Sequence, residues 1–124
     1  MKNRSMPTVL VIDDEVEILT LLKELLERRG YRVMTAERGK EALRIAEHHY
    51  FAIILTDLKM PGMDGFKMVE KLRQLQPAAK LIVMSGYGQQ VEPTLTEIGV
   101  ENYIIKPIEF DVLLKKFKEL LSSS

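Results

Sequence analysis

Four short apolar runs in this chain each stop at a reactive polar residue. Thr8-Val-Leu-Val-Ile12 stops at Asp13-Asp14, and Phe51-Ala-Ile-Ile-Leu-Thr56 stops at Asp57. Lys80-Leu-Ile-Val-Met84 stops at Ser85, and Asn102-Tyr-Ile-Ile105 stops at Lys106-Pro107. Unbroken apolar runs of this length suit strands buried on both faces of a parallel sheet. A further short strand is expected over 31–36. Helical periodicity fills the intervals. Over 15–29, Ile18, Leu22 and Leu25 recur at helix spacing with Leu19 and Leu26 beside them, and Gly30 offers a left-handed stop. A second helix over 38–49 should bury Ala42, Leu43 and Ala46. A third, reaching about residue 75 before Gln76-Pro77, carries Phe66, Val69 and Leu72 near one face. The segment 89–98 is the weakest helix, with Pro93 fit for a first turn but two threonines adding little propensity. A last helix over 109–121 should bury Leu113, Phe117 and Leu120.

Five strand-then-helix repeats imply a parallel α/β sheet with right-handed crossovers and helices on both faces. In such sheets ligands bind beyond the carboxyl ends of the strands. Three carboxylates, a hydroxyl and an ammonium would then share one edge, a set suited to handling phosphate.

Length and composition narrow the setting. The chain has 124 residues, which predicts one domain spanning 1–124, with a core of about 8–121 and frayed ends at 1–6 and 122–124. Lys plus Arg and Asp plus Glu both number 18, so no whole-chain electrostatic attraction to nucleic acid or an anionic membrane is available. Zero cysteines remove disulfides, thiol catalysis and zinc-thiolate sites, and fit a reducing compartment. The basic Met1–Ser5 segment precedes an apolar run too short for a signal-peptide core or a membrane span. A cytoplasmic protein is expected.

Taken together, Ile-Asp-Asp-Glu15, Thr-Asp57-Leu-Lys-Met-Pro-Gly-Met-Asp-Gly65, Met-Ser85-Gly and Tyr103-Ile-Ile-Lys106-Pro107 resemble a response-regulator receiver domain. The match runs from about Thr8 to Leu121 with order and spacing intact. The resemblance implies a three-layer α/β/α sandwich, a flavodoxin-like (βα)5 fold with strand order 2-1-3-4-5. It implies that Asp57 is the phosphoacceptor, a covalent role open to a carboxylate, where the bland alternative is a turn residue. By the same resemblance Asp13, Asp14, Asp57 and the Lys59 backbone carbonyl hold Mg²⁺ or Mn²⁺, with Asp13 acting partly through water. Crowded carboxylates repel unless a cation intervenes, and a hard divalent ion answers that need. The bland alternative is that Asp13 or Asp14 caps the first helix, and both roles are compatible.

Further roles come from the resemblance alone. Lys106 pairs with the phosphoryl oxygens, and a cis peptide before Pro107 aims it inward. Ser85 hydrogen-bonds the phosphoryl group, and Tyr103 turns inward as the second switch residue. A strand-end cap and a static core aromatic are their ordinary alternatives. Lys59 and Tyr87, two residues beyond Asp57 and Ser85, would tune dephosphorylation by shielding the acyl phosphate from water.

The family implies a phosphorylation-controlled switch rather than a turnover enzyme. Its donor would be a sensor histidine kinase or a histidine phosphotransfer protein, and its output an unidentified downstream protein met by helix 4, strand 5 and helix 5. No direct nucleic-acid or membrane contact is expected, and the state would be monomer or phosphorylation-dependent dimer. Stand-alone or phosphorelay use is favoured over a fragment of a longer regulator, since nothing after Leu121 resembles an output domain.

Competing readings are weaker. An aspartyl-phosphate phosphatase or phosphotransferase for small molecules usually carries a second acid where Lys59 stands. A flavin carrier would need a Ser/Thr/Gly-rich loop after the first strand. Gly39-Lys40 lacks the rest of a phosphate-binding loop, since Met34 and Glu41 occupy the wrong places. His48-His49 has no partner ligands, the Lys115, Lys116 and Lys118 set reads as a solvated face, and Met60 and Met63 read as loop packing.

Overall fold

The structure, a computed structural model, describes residues 6–60, 62, 64–86 and 92–122. Five strands alternate with five helices: β1 (Thr8–Ile12), α1 (Val16–Arg28), β2 (Arg32–Ala36), α2 (Gly39–His48), β3 (Ile53–Asp57), α3 (Gly65–Leu75), β4 (Lys80–Ser85), α4 (Glu92–Glu97), β5 (Asn102–Ile105) and α5 (Phe110–Ser122). The strands pair in parallel in the order β2-β1-β3-β4-β5. This is the flavodoxin-like arrangement that the resemblance implied.

Burial explains which runs became central. Every residue of β3 is buried, as are all but the first of β1 and β4, whereas the edge strands β2 and β5 are mixed. Alternate residues feed two cores, as the two-residue period of a strand requires. Leu10, Ile12, Ile54 and Val83 pack with Ala42, Ala46, Met68, Leu72 and Leu95 from α2, α3 and α4. Val9, Val11, Ile53, Leu55 and Ile82 pack with Leu19, Leu22, Leu26, Leu113 and Phe117 from α1 and α5.

The helix faces differ in detail from the expected ones. In α1 the fully buried line is Leu19, Leu22 and Leu26, with Ile18 and Leu25 only half-buried. Both triplets have helical spacing, and the choice between them is set by packing on β1 and β3. Met68 and Leu114 join the core, while Phe66, Leu43 and Leu120 stay half-buried. Ser122 continues α5 rather than fraying. Of the helix expected over 89–98, 89–91 lie outside the described residues. Gly30 ends α1 with φ +93° as the sequence suggested. Among the described residues no helix is long and apolar enough to cross a membrane.

Two polar clamps fasten the ends of this framework. Gln76, just past α3, is buried. Its carbonyl accepts from the Phe51 N–H at 3.1 Å, and its amide donates to the carbonyls of Ala46 at 2.8 Å and His49 at 2.5 Å. It thereby satisfies the exposed carbonyl end of α2 and the entry to β3 at once. Arg73 donates from Nη1 to the Ile98 carbonyl at 2.6 Å, tying the end of α4 to α3. A side chain on Gly99 (φ +88°) would strike that guanidinium.

Replacing Gln76 by leucine, of similar bulk, should leave one backbone N–H and two carbonyls unsatisfied. We expect a loss of about 1–3 kcal/mol in urea unfolding, whereas substitution of exposed Gln74 on the same helix should be near neutral.

Candidate functional site

The carboxyl ends of β1, β3, β4 and β5 surround a crevice of about 780 Å³. Asp14, Glu15, Asp57, Leu58, Lys59, Met60, Ser85, Gly86 and Lys106 line it. The strand register places these groups together. Ile12 pairs with Thr56, Asp57 with Met84, and Ser85 with Ile105, so each run ends level with its neighbours.

The two buried carboxylates are held in the same way. Asp13 Oδ1 accepts the Glu15 N–H at 2.9 Å, and Asp57 Oδ1 accepts the Lys59 N–H at 3.3 Å. An aspartate bonding the backbone two residues on is a local turn that any strand-end Asp can make. The remaining oxygens meet one ammonium: Lys106 Nζ lies 3.1 Å from Asp13 Oδ2 and 3.2 Å from Asp57 Oδ2. The side chains of Asp13 and Asp57 are 0% and 9% exposed, and that of Lys106 is 23% exposed. The Lys106–Pro107 bond is cis.

Burial pushes the Asp57 carboxyl above its ordinary range. The charge of Lys106 and the Lys59 N–H pull it back without cancelling that rise, and the charge of Asp13 adds to it. Burial alone would lower the Lys106 ammonium, but its hydrogen bond to Asp13 and the charge of Asp57 leave it above an ordinary lysine.

One oxygen from each of Asp13, Asp14 and Asp57 lies within 4.8 Å of the others. Three hard oxygen donors, one of them costly to keep charged, fit a small divalent cation.

Of the residues singled out from the sequence, Asp14, Asp57, Lys59, Ser85 and Lys106 line the crevice, and Asp13 lies beneath it against Lys106. Ser85 is buried at the end of β4. Tyr103 does not line the crevice; it is half-buried on β5, in a hollow shared with Ile105, Pro107 and Val112. Tyr87 and Met63 lie outside the described residues. Met60 is buried in the loop, and His48 and His49 are exposed at the end of α2.

Two residues were given no role by sequence reasoning. Gly65 begins α3 so close to the β3 strand end that an added Cβ would overlap the Leu58 carbonyl. Glu15 turns its carboxylate to Lys106, Oε1 to Nζ 3.6 Å. The Asp13-Asp14-Glu15 run was the available signal for the second, and nothing local distinguishes Gly65 from the other turn glycines.

A profile of the response regulator receiver domain matches residues 9–118. The chain belongs to that family. Among curated relatives of this receiver domain, the transcriptional regulatory protein ZraR of Escherichia coli is 33% identical over 116 residues, covering 92% of this chain and 26% of that protein. The regulatory protein PhoP of Bacillus subtilis is 34% identical over 117 residues, covering 94% and 49%. The receiver chain therefore spans about a quarter to a half of the length of these relatives. A receiver domain protein from Methanospirillum hungatei superposes with TM-score 0.89 at 36% identity, covering 94% of each chain. The response regulator TrrA of Thermotoga maritima, solved in complex with Mg²⁺ and BeF, superposes with TM-score 0.83 at 35% identity, covering 93% and 99%.

The raised Asp57 carboxyl has a stability consequence of definite sign. A group whose folded pKa lies above its unfolded value contributes stability present below the unfolded pKa and lost as pH rises through the folded one. In chelator-containing buffer, Asp57→Asn should therefore unfold at higher urea than the parent at neutral pH. That advantage should close as pH falls toward roughly 4. Lys106→Met should instead lose about 1–3 kcal/mol at neutral pH, because two buried carboxylates lose their countercharge.

Proposed function

We propose that this receiver domain is a phosphorylation-dependent switch in which Asp57 accepts a phosphoryl group from a phosphohistidine donor with the help of Mg²⁺ or Mn²⁺. The observation that carries this reading is Lys106 bridging Asp13 and Asp57 beside a third carboxylate. Such a site presents one nucleophilic carboxylate, a fixed cation for phosphoryl oxygens and donors for a metal. In the step itself, a carboxylate oxygen of Asp57 forms a bond to phosphorus. The bond from phosphorus to the donor nitrogen breaks, and the histidine leaves with its electron pair. Asp13, Asp14, Asp57 and the Lys59 carbonyl would hold the metal, which when bound offsets the charge of the transferring group.

The residues of the chain do the rest. The Lys59 N–H fixes the rotamer of Asp57. Lys106 is within reach of oxygens added at Asp57, and Ser85 offers a hydroxyl at the next strand end. Phosphorylation adds about −1.5 to −2 of charge in an ordinary monoester, which draws on both groups. Tyr103 then turns inward, and α4, β5 and α5 shift as a population, with coupling of about 1–3 kcal/mol. The surface serves an unidentified downstream protein. The domain acts on itself rather than turning over a small-molecule substrate.

Acetyl phosphate with Mg²⁺, followed by intact mass, tests this directly. One added phosphoryl group is expected, absent in Asp57→Asn and after chelation. A parent chain that gains none, or that turns over a generic phosphomonoester, contradicts the proposal. Lys59→Asn combined with Tyr87→Glu should shorten the phosphoryl half-life if those two side chains shield the acyl phosphate. An unchanged or longer half-life refutes the shielding role.

A further inference from the structure

Glu15 is an acid at a helix start that does not cap its helix. It occupies the N-cap of α1 with extended backbone (φ −90°, ψ 105°), yet its side chain makes no capping hydrogen bond. Its backbone is fully used: the N–H goes to Asp13 Oδ1, and the carbonyl accepts from Ile18 and Leu19 at 3.0 and 3.2 Å. The carboxylate turns instead into the crevice and stands 3.6 Å from Lys106 Nζ.

Lysine has three N–H donors. Here Lys106 faces three carboxylates, Asp13 at 3.1 Å, Asp57 at 3.2 Å and Glu15 at 3.6 Å. The first two are buried, and a backbone N–H fixes the other oxygen of each. Glu15 has the longest contact and a side chain that is 62% exposed, so it can leave. A phosphoryl oxygen reaching the ammonium from the crevice meets Glu15 on the exposed side.

We infer that Glu15 is a positioning residue whose carboxylate pairs with the outward side of the Lys106 ammonium in the unphosphorylated domain and is displaced when a phosphoryl group binds. This rests on the reading of Asp57 as phosphoacceptor and adds a competitor to it. The competition weakens capture of a phosphoryl anion and holds the ammonium at the crevice until a phosphoryl group replaces Glu15. Because Glu15 is largely solvated, the effect is small: pairs with an exposed partner translate into about a 2- to 5-fold change in an equilibrium.

The test is beryllofluoride binding with saturating Mg²⁺, read by fluorine NMR of the bound species, alongside acetyl phosphate labelling of the parent chain. Glu15→Gln should tighten beryllofluoride binding about 2- to 5-fold. Glu15→Asp keeps the charge but shortens the reach, so it too should tighten binding. In the Lys106→Met background the Glu15→Gln gain should vanish. The inference is overturned if Glu15→Gln binds no tighter than the parent. It is also overturned if Glu15→Asp behaves like the parent, which would leave only a general field effect. Should Lys106→Met fail to fold, the comparison of Gln with Asp at position 15 still decides. A parent chain that is labelled at Asp57 while position 15 makes no difference refutes only this inference. A parent that is never labelled removes the phosphoacceptor reading and this one with it.

Discussion

One ammonium between two buried carboxylates is the constraint on which this site depends. Lys106 meets Asp13 and Asp57 from 93 and 49 residues away along the chain, so only the completed sheet can assemble the trio. Each carboxylate alone would be costly to bury at neutral pH. Together with the lysine they are tolerable, though Asp57 still carries a net penalty from burial. That residual penalty leaves an acid whose charged form gains from any cation that enters the crevice. The cost of burying this cluster and its attraction for a cation are set here by the same three groups.

The sheet explains why such a cluster can exist. β1, β3 and β4 are buried almost throughout, and they end in register. Side chains just beyond those ends leave the apolar interior together and face one another. The local turns at Asp13 and Asp57 fix one oxygen of each. The other oxygen of each meets the lysine delivered by the edge strand β5. The packed core does the positioning, and the loops need supply only short turns.

Much of this was legible from residue order. The buried strands announced themselves because runs such as Phe51 to Thr56 have no polar break, and the strand ends named Asp57, Ser85 and Lys106. Helix faces were less legible. Ile18 and Leu25 have the same periodicity as Leu19, Leu22 and Leu26, and only the strands beneath decide which set is covered. Gln76 read as a helix stop before Pro77, yet it is a buried clamp. Its partners lie 25 and more residues away, beyond any local pattern. Glu15 was visible only as part of a motif, because its contact with Lys106 depends on how β1 and β5 are placed across the sheet.

The Arg73 contact bears on how the α4 region can rearrange. Guanidinium and Ile98 carbonyl meet at 2.6 Å, with glycine backbone filling the space beside them. Leu95 and Val100 are buried on either side. The C-terminal end of α4 is therefore tied to α3, so any tilt of this short helix would be least at that end. The held end is the one that leads into β5.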